Sequence, residues 1–459
     1  HNPNNKHAER NTMVSPSRLS VATVFAAGMA FSSAGALASM GNTATTFGIL
    51  PTDIASAQGL SLFNSQVSAT YYNPAFLVRD PRGELTAGLF HAEHELRVDS
   101  QGGFNAPTRE GDVLNETPSQ QVLIGMKTDL SSVTKYNTPF YLGFIAGVEK
   151  FGQEMLAFES GESEEGQFFT YDRQPLFLNI GGGLTLWRGI DVGASVRVTL
   201  HAEAALSTDT TLGGNTSRER LEVSAKPVLR PILGVNVNWG ETFCSHTPCW
   251  MENLDTALVY KGYSNTRTSV DARAIIPETL GGDGLLLAIR TIDSFQPEIV
   301  TAGAQYQFGR ARVALSGEFQ RWSRLEREFE GDTIKSRANI EFRDIFIPRI
   351  GAEYRVNDML SVSTGVAYEE SPLKSTRTEN INYLDNDRIV VGFGGALEIA
   401  NPPVLAYPLR LDFGYQYHHL RDRDFIISGT RSSDGEPFEE LVTADGDVHV
   451  VAGSITIKF

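Results

Sequence analysis

The sequence predicts an all-β fold, a fourteen-stranded antiparallel transmembrane β-barrel, and three observations support this prediction. The first is the final segment, Val450 to Phe459, which alternates in polarity and ends on an aromatic residue. One face is apolar and the other small or polar, as in a barrel wall with lipid outside and water inside. The apolar face holds Val451, Ile455, Ile457 and Phe459, and the polar face holds Ala452, Ser454, Thr456 and Lys458.

The second observation is the recurrence of alternating segments from Gly83 onward. We count fourteen, an even number, as single-chain outer-membrane barrels have. They begin near residues 83, 119, 139, 174, 190, 219, 254, 297, 310, 346, 359, 387, 408 and 446. A soluble β-sandwich or propeller is the alternative, but its packed core would need apolar residues on the faces that are polar here.

The third observation is that short and long connectors alternate along the chain. The short ones are Arg188-Gly189, Gly309 and Asn357-Asp358, and the long ones span about 152–172, 207–218, 272–296, 331–345, 373–386 and 428–444. Short periplasmic turns and longer extracellular loops are typical of outer-membrane barrels. The connectors therefore predict which rim of the barrel faces the periplasm.

Composition and charge agree with this localisation. Hydrophobic residues make up 41% of the chain and the mean hydropathy is −0.18, because a barrel strand turns only every second residue to lipid. The net charge of −16 argues against nucleic acid as a partner. It fits acidic loops facing outer-membrane lipid and lipopolysaccharide, whose anionic sugars are bridged by divalent cations. The terminal Phe459 resembles the signal by which the barrel-assembly machinery recognises its substrates.

The N-terminal region predicts export. Arg18 precedes a mostly apolar or small-residue run from Leu19 to Leu37, which closes with Ala36-Leu37-Ala38. This is the pattern of a cleaved signal peptide, so we assign residues 1–38 to upstream sequence and signal, with Met13 as a candidate initiator. A single membrane anchor is the alternative, but the strongly apolar part is shorter than the roughly 20 residues that a spanning helix needs.

The two cysteines lie close together, between the sixth and seventh predicted strands. Cys244 and Cys249 in an oxidising periplasm predict a local disulfide that holds a turn. A zinc site that includes His246 is the alternative, but it lacks a fourth ligand. We expect no metal and no cofactor.

Several short motifs occur along the chain: Asn73-Pro74-Ala75 within Tyr71 to Leu77, Gln320-Arg321-Trp322-Ser323, Phe342-Arg343-Asp344 with Arg349-Ile350-Gly351, Glu370-Ser371-Pro372, and Leu384-Asp385-Asn386-Asp387-Arg388. In order and spacing they resemble those of FadL-type outer-membrane transporters for long-chain fatty acids and other hydrophobic compounds. The resemblance covers residues 39–459. It implies a hatch at residues 39–81 that plugs the lumen, and a barrel at residues 82–459.

The resemblance also implies a route. Ligand would be captured between extracellular loops, held in a lumen pocket, released by hatch movement and passed sideways through the wall. The gating residues would be Asn73, Pro74, Ala75 and Phe76. Proline restricts the backbone of the residue before it, so we expect Asn73 to be extended.

A fatty-acid head group needs a cation in the lumen. Arg343 stands at the position of a family lysine, and its parity with Arg349 predicts that it points inward. The alternative is a structural arginine paired with Asp344, Glu341 or Glu318. A second basic position of the family is Leu200 here, with Arg197 and His201 nearby, which leaves room for an uncharged ligand.

The predicted loop 272–296 is unusually apolar. As a short helix it would group apolar side chains into a capture groove; these residues are Leu285, Leu286, Ile289, Ile292 and Phe295. The alternative is a loop that packs a cap over the barrel mouth. We therefore predict a monomeric channel of the bacterial outer membrane that imports long-chain fatty acids.

Three rivals remain. The first is uptake of uncharged hydrocarbons or aromatics through the same fold. The second is an outer-membrane lipid enzyme that uses His418-His419, although no nucleophile motif accompanies this pair. The third is an open porin, which a hatch would exclude.

Overall fold

The computed structural model describes residues 42–106, 118–133, 135, 138–150, 176–210, 216–244, 249–274, 285–330, 340–379, 384–430 and 435–459. The proposed signal peptide and His246 lie outside these residues. None of the described helices is long and apolar enough to cross a bilayer.

Within the described residues, seventeen strands form a single sheet that closes on itself, because β1 pairs with both β2 and β17. The strands are β1 Glu84–Gly102, β2 Ser119–Asp129, β3 Phe140–Lys150, β4 Leu176–Trp187, β5 Ile190–Thr210, β6 Thr216–Asn238, β7 Leu254–Lys261, β8 Ser264–Ala274, β9 Leu285–Gln296, β10 Glu298–Phe308, β11 Ala311–Arg321, β12 Ile345–Arg355, β13 Leu360–Glu369, β14 Arg377–Glu379, β15 Arg388–Ile399, β16 Leu409–Thr430 and β17 Pro437–Lys458. The β8–β9 pair extends the β7–β10 pair, with β8 following β7 and β9 preceding β10 along the chain, so these four segments count as two wall strands. β14 is a short extra strand paired parallel to β16. The wall therefore has fourteen antiparallel strands, as predicted.

At membrane height the two faces of the wall follow the predicted alternation. On β17, Val451 and Ile455 are about half exposed on the outside, as is Phe459 directly after the strand, whereas Thr456 and Lys458 are buried inside. Backbone hydrogen bonds between Gly83 and Phe459 complete the closure. An apolar outer belt around a polar lumen identifies this height as the membrane-spanning part.

Above this height the polarity of the two faces reverses. On β1 the outward residues change from Leu85 and Leu89 to charged residues such as Glu93, while the inward face gains Leu96 and Val98. β17 shows the same exchange along its length. The upper part of the barrel therefore has a water-facing exterior and an apolar interior, like a soluble β-protein.

This reversal corrects two connector predictions. The sequence predicts long loops at residues 207–218 and 428–444. In the structure β5 continues to Thr210 and β6 begins at Thr216, and β16 continues to Thr430 and β17 begins at Pro437. The last strand thus begins at Pro437 rather than near residue 446. On β16 and β17 the outward residues of this part are mostly polar and so resemble loop sequence, because a strand in water needs no lipid-facing apolar residues.

Short helices occupy the lumen before the first strand. They are α1 Thr43–Thr46, α2 Pro51–Ala55, the 3₁₀ turn Ser61–Phe63, α3 Ala69–Tyr72 and the 3₁₀ segment Pro74–Arg79. We call residues 42–81, the described part of the proposed hatch, the hatch from here on. It meets the inner wall at glycines, where hatch atoms lie too close to leave room for a wall side chain. Hatch backbone makes this approach at Gly183, Gly193, Gly351, Gly365, Gly392 and Gly414, and hatch side chains make it at Gly125, Gly143 and Gly234.

The periplasmic rim carries the predicted short turns. Gly189, in the turn between β4 and β5, has a φ of +71°, a conformation that glycine adopts without strain. Between β6 and β7 lies α4 Trp239–Phe243. A disulfide joins Cys244 to Cys249 after this helix, with their Cα atoms 5.7 Å apart.

Candidate ligand site and transport path

The Asn-Pro-Ala motif fixes the hatch against the wall. Asn73 is extended, with φ −158° and ψ 90°, as the following proline predicts. Its side-chain amide nitrogen donates to the carbonyl of Leu62 at 2.9 Å, and its side-chain oxygen lies against Gly234. Pro74 and Ala75 lie against Gly183 and Gly193. The motif is therefore a docking element between hatch and wall.

Phe76, the fourth predicted gating residue, packs inside the hatch. Its ring meets the ring of Phe63 edge-on, with centroids 5.8 Å apart. Both rings are buried in the apolar cluster that joins the hatch to the wall. This position gives Phe76 a packing contact, and a gating role for it stays a prediction.

Arg197 on β5 lies in the lumen, paired with a carboxylate. Its guanidinium donates to Glu149 at 2.6 Å, and both side chains are almost fully buried. The guanidinium also lies 4.3 Å from the ring centroid of Phe177. Glu149 additionally accepts from the hydroxyl of Thr43 in the hatch at 2.5 Å. This pair thus joins the wall to the first hatch helix.

Two further cations, Arg230 on β6 and Lys261 on β7, surround a hatch tyrosine. Cross-strand pairing aligns Asn179, Arg197 and Arg230 in one row across β4, β5 and β6. Arg230 donates to the hydroxyl of Tyr71 at 3.3 Å, and the Lys261 ammonium lies 4.3 Å from the centroid of the Tyr71 ring. We call Tyr71, Arg197, Arg230 and Lys261 the tyrosine cage.

The charge of the tyrosine cage is only partly neutralised. Among the described residues, no carboxylate lies within salt-bridge distance of Arg230 or Lys261. Burial acts to raise the pKa of the Tyr71 hydroxyl, but Lys261, Arg230 and Arg197 together lower that pKa below its usual value. The cage is therefore a site of net positive potential.

Sequence reasoning missed Arg230 and Lys261. A signal was present, because Arg230 shares inward parity with Ile232, Gly234 and Asn236, and Lys261 ends a strand before a glycine. A buried cation on a lumen face needs a partner. That partner is a tyrosine some 160 residues away in the chain, which strand periodicity does not reveal.

Arg349 on β12 also lies in the lumen, as predicted. Its guanidinium is 3.6 Å from the carboxylate of Glu318, with both side chains buried. Glu318 in turn accepts from the amide of Gln320 at 2.6 Å. Arg349 therefore already has a counter-ion within the wall.

The prediction that Arg343 points into the lumen is wrong. Its side chain is 46% exposed and lies 3.7 Å from Asp387, and it donates to the carbonyl of Ser371 at 3.0 Å. Strand β12 begins only at Ile345, so strict alternation does not extend back to residue 343. Phe342 takes the buried position instead.

The predicted short helix around residues 285–292 is also wrong. Leu285, Leu286, Ile289 and Ile292 lie in β9, which pairs antiparallel with β8. The partner strand β8 satisfies the backbone hydrogen bonds of this segment, so the backbone is extended rather than helical. Phe295, at the end of this strand, is fully buried, with its ring centroid 5.6 Å from that of Trp322.

An apolar cluster fills the upper interior of the barrel, and helix α5 Ser323–Glu330 contributes to it. Leu325 and Phe329 of α5 are buried in this cluster together with Trp322. At its lower end Phe47 of the hatch meets Phe90 of β1, with ring centroids 5.8 Å apart. We call this cluster the apolar interior. Its side chains include Phe90, Leu96, Val98, Phe295, Trp322, Leu325, Phe329, Phe342, Ile347, Phe425, Val442, Val448 and Val450.

Residues 370–379 and 384–387 close over this interior and are held by Arg423 of β16. Arg423 donates to the carbonyls of Leu373 and Asp385 at 2.8 and 2.9 Å, and to the hydroxyl of Ser371 at 3.0 Å. Asn386 donates to the carbonyl of Ala444 at 2.6 Å. We call residues 370–379 and 384–387 the cap.

The cap is expected to respond to pH through Asp385. Burial, opposed by Arg388 and the Ser371 hydrogen bond, raises the pKa of Asp385 to about 6. A raised carboxyl pKa means that the folded cap favours the protonated acid, so cap stability should fall as pH rises through 6. Hydrogen-exchange protection factors of residues 384–387, that is, rates corrected for the intrinsic base catalysis of amide exchange, should be lower at pH 7.5 than at pH 5, and Asp385→Asn should remove that difference. Equal pH dependence in that variant would contradict the assignment.

The periplasmic end is polar instead. A cavity of about 240 Å³ lies below the hatch, and its lining includes Asp80, Arg82, Arg312, Glu353, Glu398, Arg410 and Lys458. Ion pairs cross it, among them Arg82 with Glu398 at 2.7 Å and Arg312 with Glu353 at 3.1 Å. An apolar molecule would have to disrupt these pairs to leave in this direction.

The described residues contain no group of three or more histidine, cysteine, aspartate or glutamate side chains that could hold a metal. Of the histidine pair, His418 is buried and contacts the amide of Gln416 at 2.7 Å. His419 is exposed and lies 2.9 Å from Asp447. The two rings therefore face opposite sides of the wall and do not form one site.

A closed lipid-belted barrel, a plugged lumen and an apolar interior above the membrane define an outer-membrane channel for hydrophobic compounds. The chain belongs to the family described as outer membrane protein transport protein (OMPP1/FadL/TodX), which its residues 291–459 match. It is 54% identical over 428 residues to alkane uptake protein A of Marinobacter nauticus, with 92% of each chain covered.

Solved structures show the same fold. A FadL homologue from Pseudomonas aeruginosa has a TM-score of 0.60 at 14% identity, over 89% of this chain and 98% of that one. A TodX monoaromatic hydrocarbon channel with its S2 segment deleted has a TM-score of 0.54 at 15% identity, over 90% of this chain and 99% of that one. The prediction of a FadL-type barrel in the outer membrane is confirmed.

Proposed function

We propose that this protein imports long-chain alkanes or similar uncharged apolar chains. The observation that carries the proposal is the apolar interior above the membrane, a cluster of buried aromatic and aliphatic side chains in which an alkyl chain would be removed from water. The relative in Marinobacter nauticus, named as an alkane uptake protein, supports the same ligand class. We therefore favour an uncharged ligand over the fatty acid that the sequence first indicated.

The proposed route runs from the cap into the apolar interior and down to Phe47 of the hatch. Leu285, Leu286, Ile289 and Ile292 of β9 would belong to the upper part of this route, and Phe295 would line it. Arg343, exposed at the mouth, would contact ligands only on arrival. The polar cavity at the periplasmic end favours a sideways exit through the wall over a straight one.

Asn73, Pro74, Ala75 and Phe76 would hold the hatch in register while smaller parts of it move. Arg197 and Arg349 already have carboxylate partners, so we assign them the role of anchoring hatch and wall. We further propose that the protein acts as a monomer without cofactor or enzymatic activity. Its other partners would be lipopolysaccharide and, during insertion, the barrel-assembly machinery acting on the strand that ends at Phe459.

The proposal can be tested by uptake of radiolabelled hexadecane in cells that lack an alkane channel of their own. Cells expressing the protein should accumulate hexadecane about tenfold faster than cells with the empty vector, because lipopolysaccharide slows unaided entry. An excess of unlabelled hexadecane should compete, and hexadecanoate should compete weakly. Uptake equal to the vector control, or uptake of hexadecanoate alone, would refute the proposal.

Import of long-chain fatty acids is the second candidate. The specific observation in its favour is the positive charge of Arg230 and Lys261, which no described carboxylate neutralises at salt-bridge distance. A carboxylate head group at the end of an alkyl chain would complement that charge. In the uptake assay this candidate predicts that hexadecanoate outcompetes hexadecane.

A further inference from the structure

The three cations of the tyrosine cage have the charge to bind an anionic ligand, but the hatch residue Tyr71 already contacts all three. Tyr71 belongs to α3 of the hatch and is fully buried. Its hydroxyl lies 2.7 Å from that of Thr45 and accepts from Arg230. The electron-rich face of its ring lies toward Lys261, a cation–π contact.

Arg230 has no pair of adjacent free N–H donors left for a ligand. Its Nε donates to the carbonyl of Gly262 at 2.7 Å, and one terminal nitrogen donates to the carbonyl of Pro297 at 2.6 Å. The other terminal nitrogen is shared between Gln296 and Tyr71, at 3.2 and 3.3 Å. Bidentate recognition of a carboxylate needs two adjacent free donors, which this arrangement withholds.

The second cation is enclosed by rings. Besides the Tyr71 ring, the Lys261 ammonium lies 5.0 Å from the centroid of Tyr72, and Tyr72 is held by a hydrogen bond from its hydroxyl to the carbonyl of Ala44 at 2.7 Å. A carboxylate reaching Lys261 would have to displace at least one of these rings. The hatch thus covers both cations from the same side.

We infer that Tyr71 is a specificity-determining residue, which occupies the cation site as an internal substitute for a carboxylate and so makes the channel select uncharged chains. A fatty acid entering the lumen would lose the hydration of its head group without gaining a free cation. An alkane has no head group and is unaffected. This inference rests on the proposed function and explains how a positively charged lumen serves an uncharged ligand.

The test compares binding of hexadecane and hexadecanoate to purified protein in lipid nanodiscs. Tyr71→Leu should uncover Arg230, while the Tyr72 ring still covers Lys261, and should tighten hexadecanoate binding by about tenfold or more, the scale of one charge-assisted contact. Hexadecane binding should stay within about twofold. The double variant Tyr71→Leu/Arg230→Met should lose the gain.

Phe63→Leu provides the matched control, because it removes a buried hatch ring that pairs with the ring of Phe76 rather than with a cation of the cage. It should leave the ratio of the two affinities unchanged. If Tyr71→Leu does not fold, Tyr71→Phe keeps the ring and removes the bond to Arg230, and should still give a gain of about threefold in hexadecanoate binding.

Unchanged hexadecanoate binding, an equal change for both ligands, or a gain that persists in the double variant would overturn the inference. Failure of the proposed function looks different. In that case the wild-type protein itself would bind hexadecanoate more tightly than hexadecane, whatever the Tyr71 variants do.

Discussion

Val98→Asp is expected to reduce hexadecane uptake more than tenfold while the barrel still assembles. Val98 is fully buried on the inward face of β1, within the apolar interior. An uncompensated buried charge costs about 3–5 kcal/mol, so this carboxylate would either open the interior to water or remove its affinity for alkyl chains. A change of 1.4 kcal/mol already alters binding about tenfold. Initial uptake rates at matched surface expression provide the measurement.

Gln101→Asp is the control for this variant, because it adds the same charge on the outward, exposed face of the same strand. It should leave uptake near the wild-type rate. Lowering the pH far enough to protonate the new acid should partly restore uptake in Val98→Asp. Equal losses in the two variants would show that the upper interior is not on the ligand route.

Gly365→Val is expected to displace the hatch from the wall. A side chain at this position on β13 would overlap the carbonyl of Ser56 in the hatch, and neither backbone can yield without shifting its element. Overpacking of a closely packed core costs about 1–3 kcal/mol, and more where backbone is involved. The expected result is faster proteolysis of the segment 42–81 and measurable ion conductance in planar bilayers.

Gly453→Val is the matched control, since a side chain there would meet only the carbonyl of Asp412, at 4.0 Å. It should be closed to ions and resistant to protease, like the wild-type protein. Conductance in both variants, or in neither, would mean that the glycine contacts do not keep the lumen sealed.

Strand positions and lumen parity could be predicted because strand alternation is a local property of the sequence. The inward and outward faces of β16 and β17 follow it, and so does the inward position of Arg349. The prediction failed where alternation stops, two residues before β12, and there it misplaced Arg343. It failed again at β9, because a run of apolar residues does not distinguish a short helix from a strand whose pairing partner is distant.

The binding features that were missed arise from long-range packing. The tyrosine cage depends on a hatch helix meeting β6 and β7, and the cap depends on Arg423 meeting carbonyls of residues 373 and 385. The polarity reversal is visible in the sequence once its boundary is known. The sequence prediction takes an apolar outward face as the sign of a wall strand, and it therefore interprets the upper strands, whose outward faces meet water, as loops.

The height of the apolar interior determines where a ligand first meets the protein. On β1 the outward face becomes polar at His91, and the strand continues to Gly102. At about 3.3 Å per residue and a tilt of about 40°, this part rises roughly 28 Å above the hydrocarbon. An oil-like interior therefore projects past the polar headgroup layer that repels hydrocarbons. An alkane at the cell surface would therefore meet the cap, with the apolar interior directly behind it, above the level of the membrane itself.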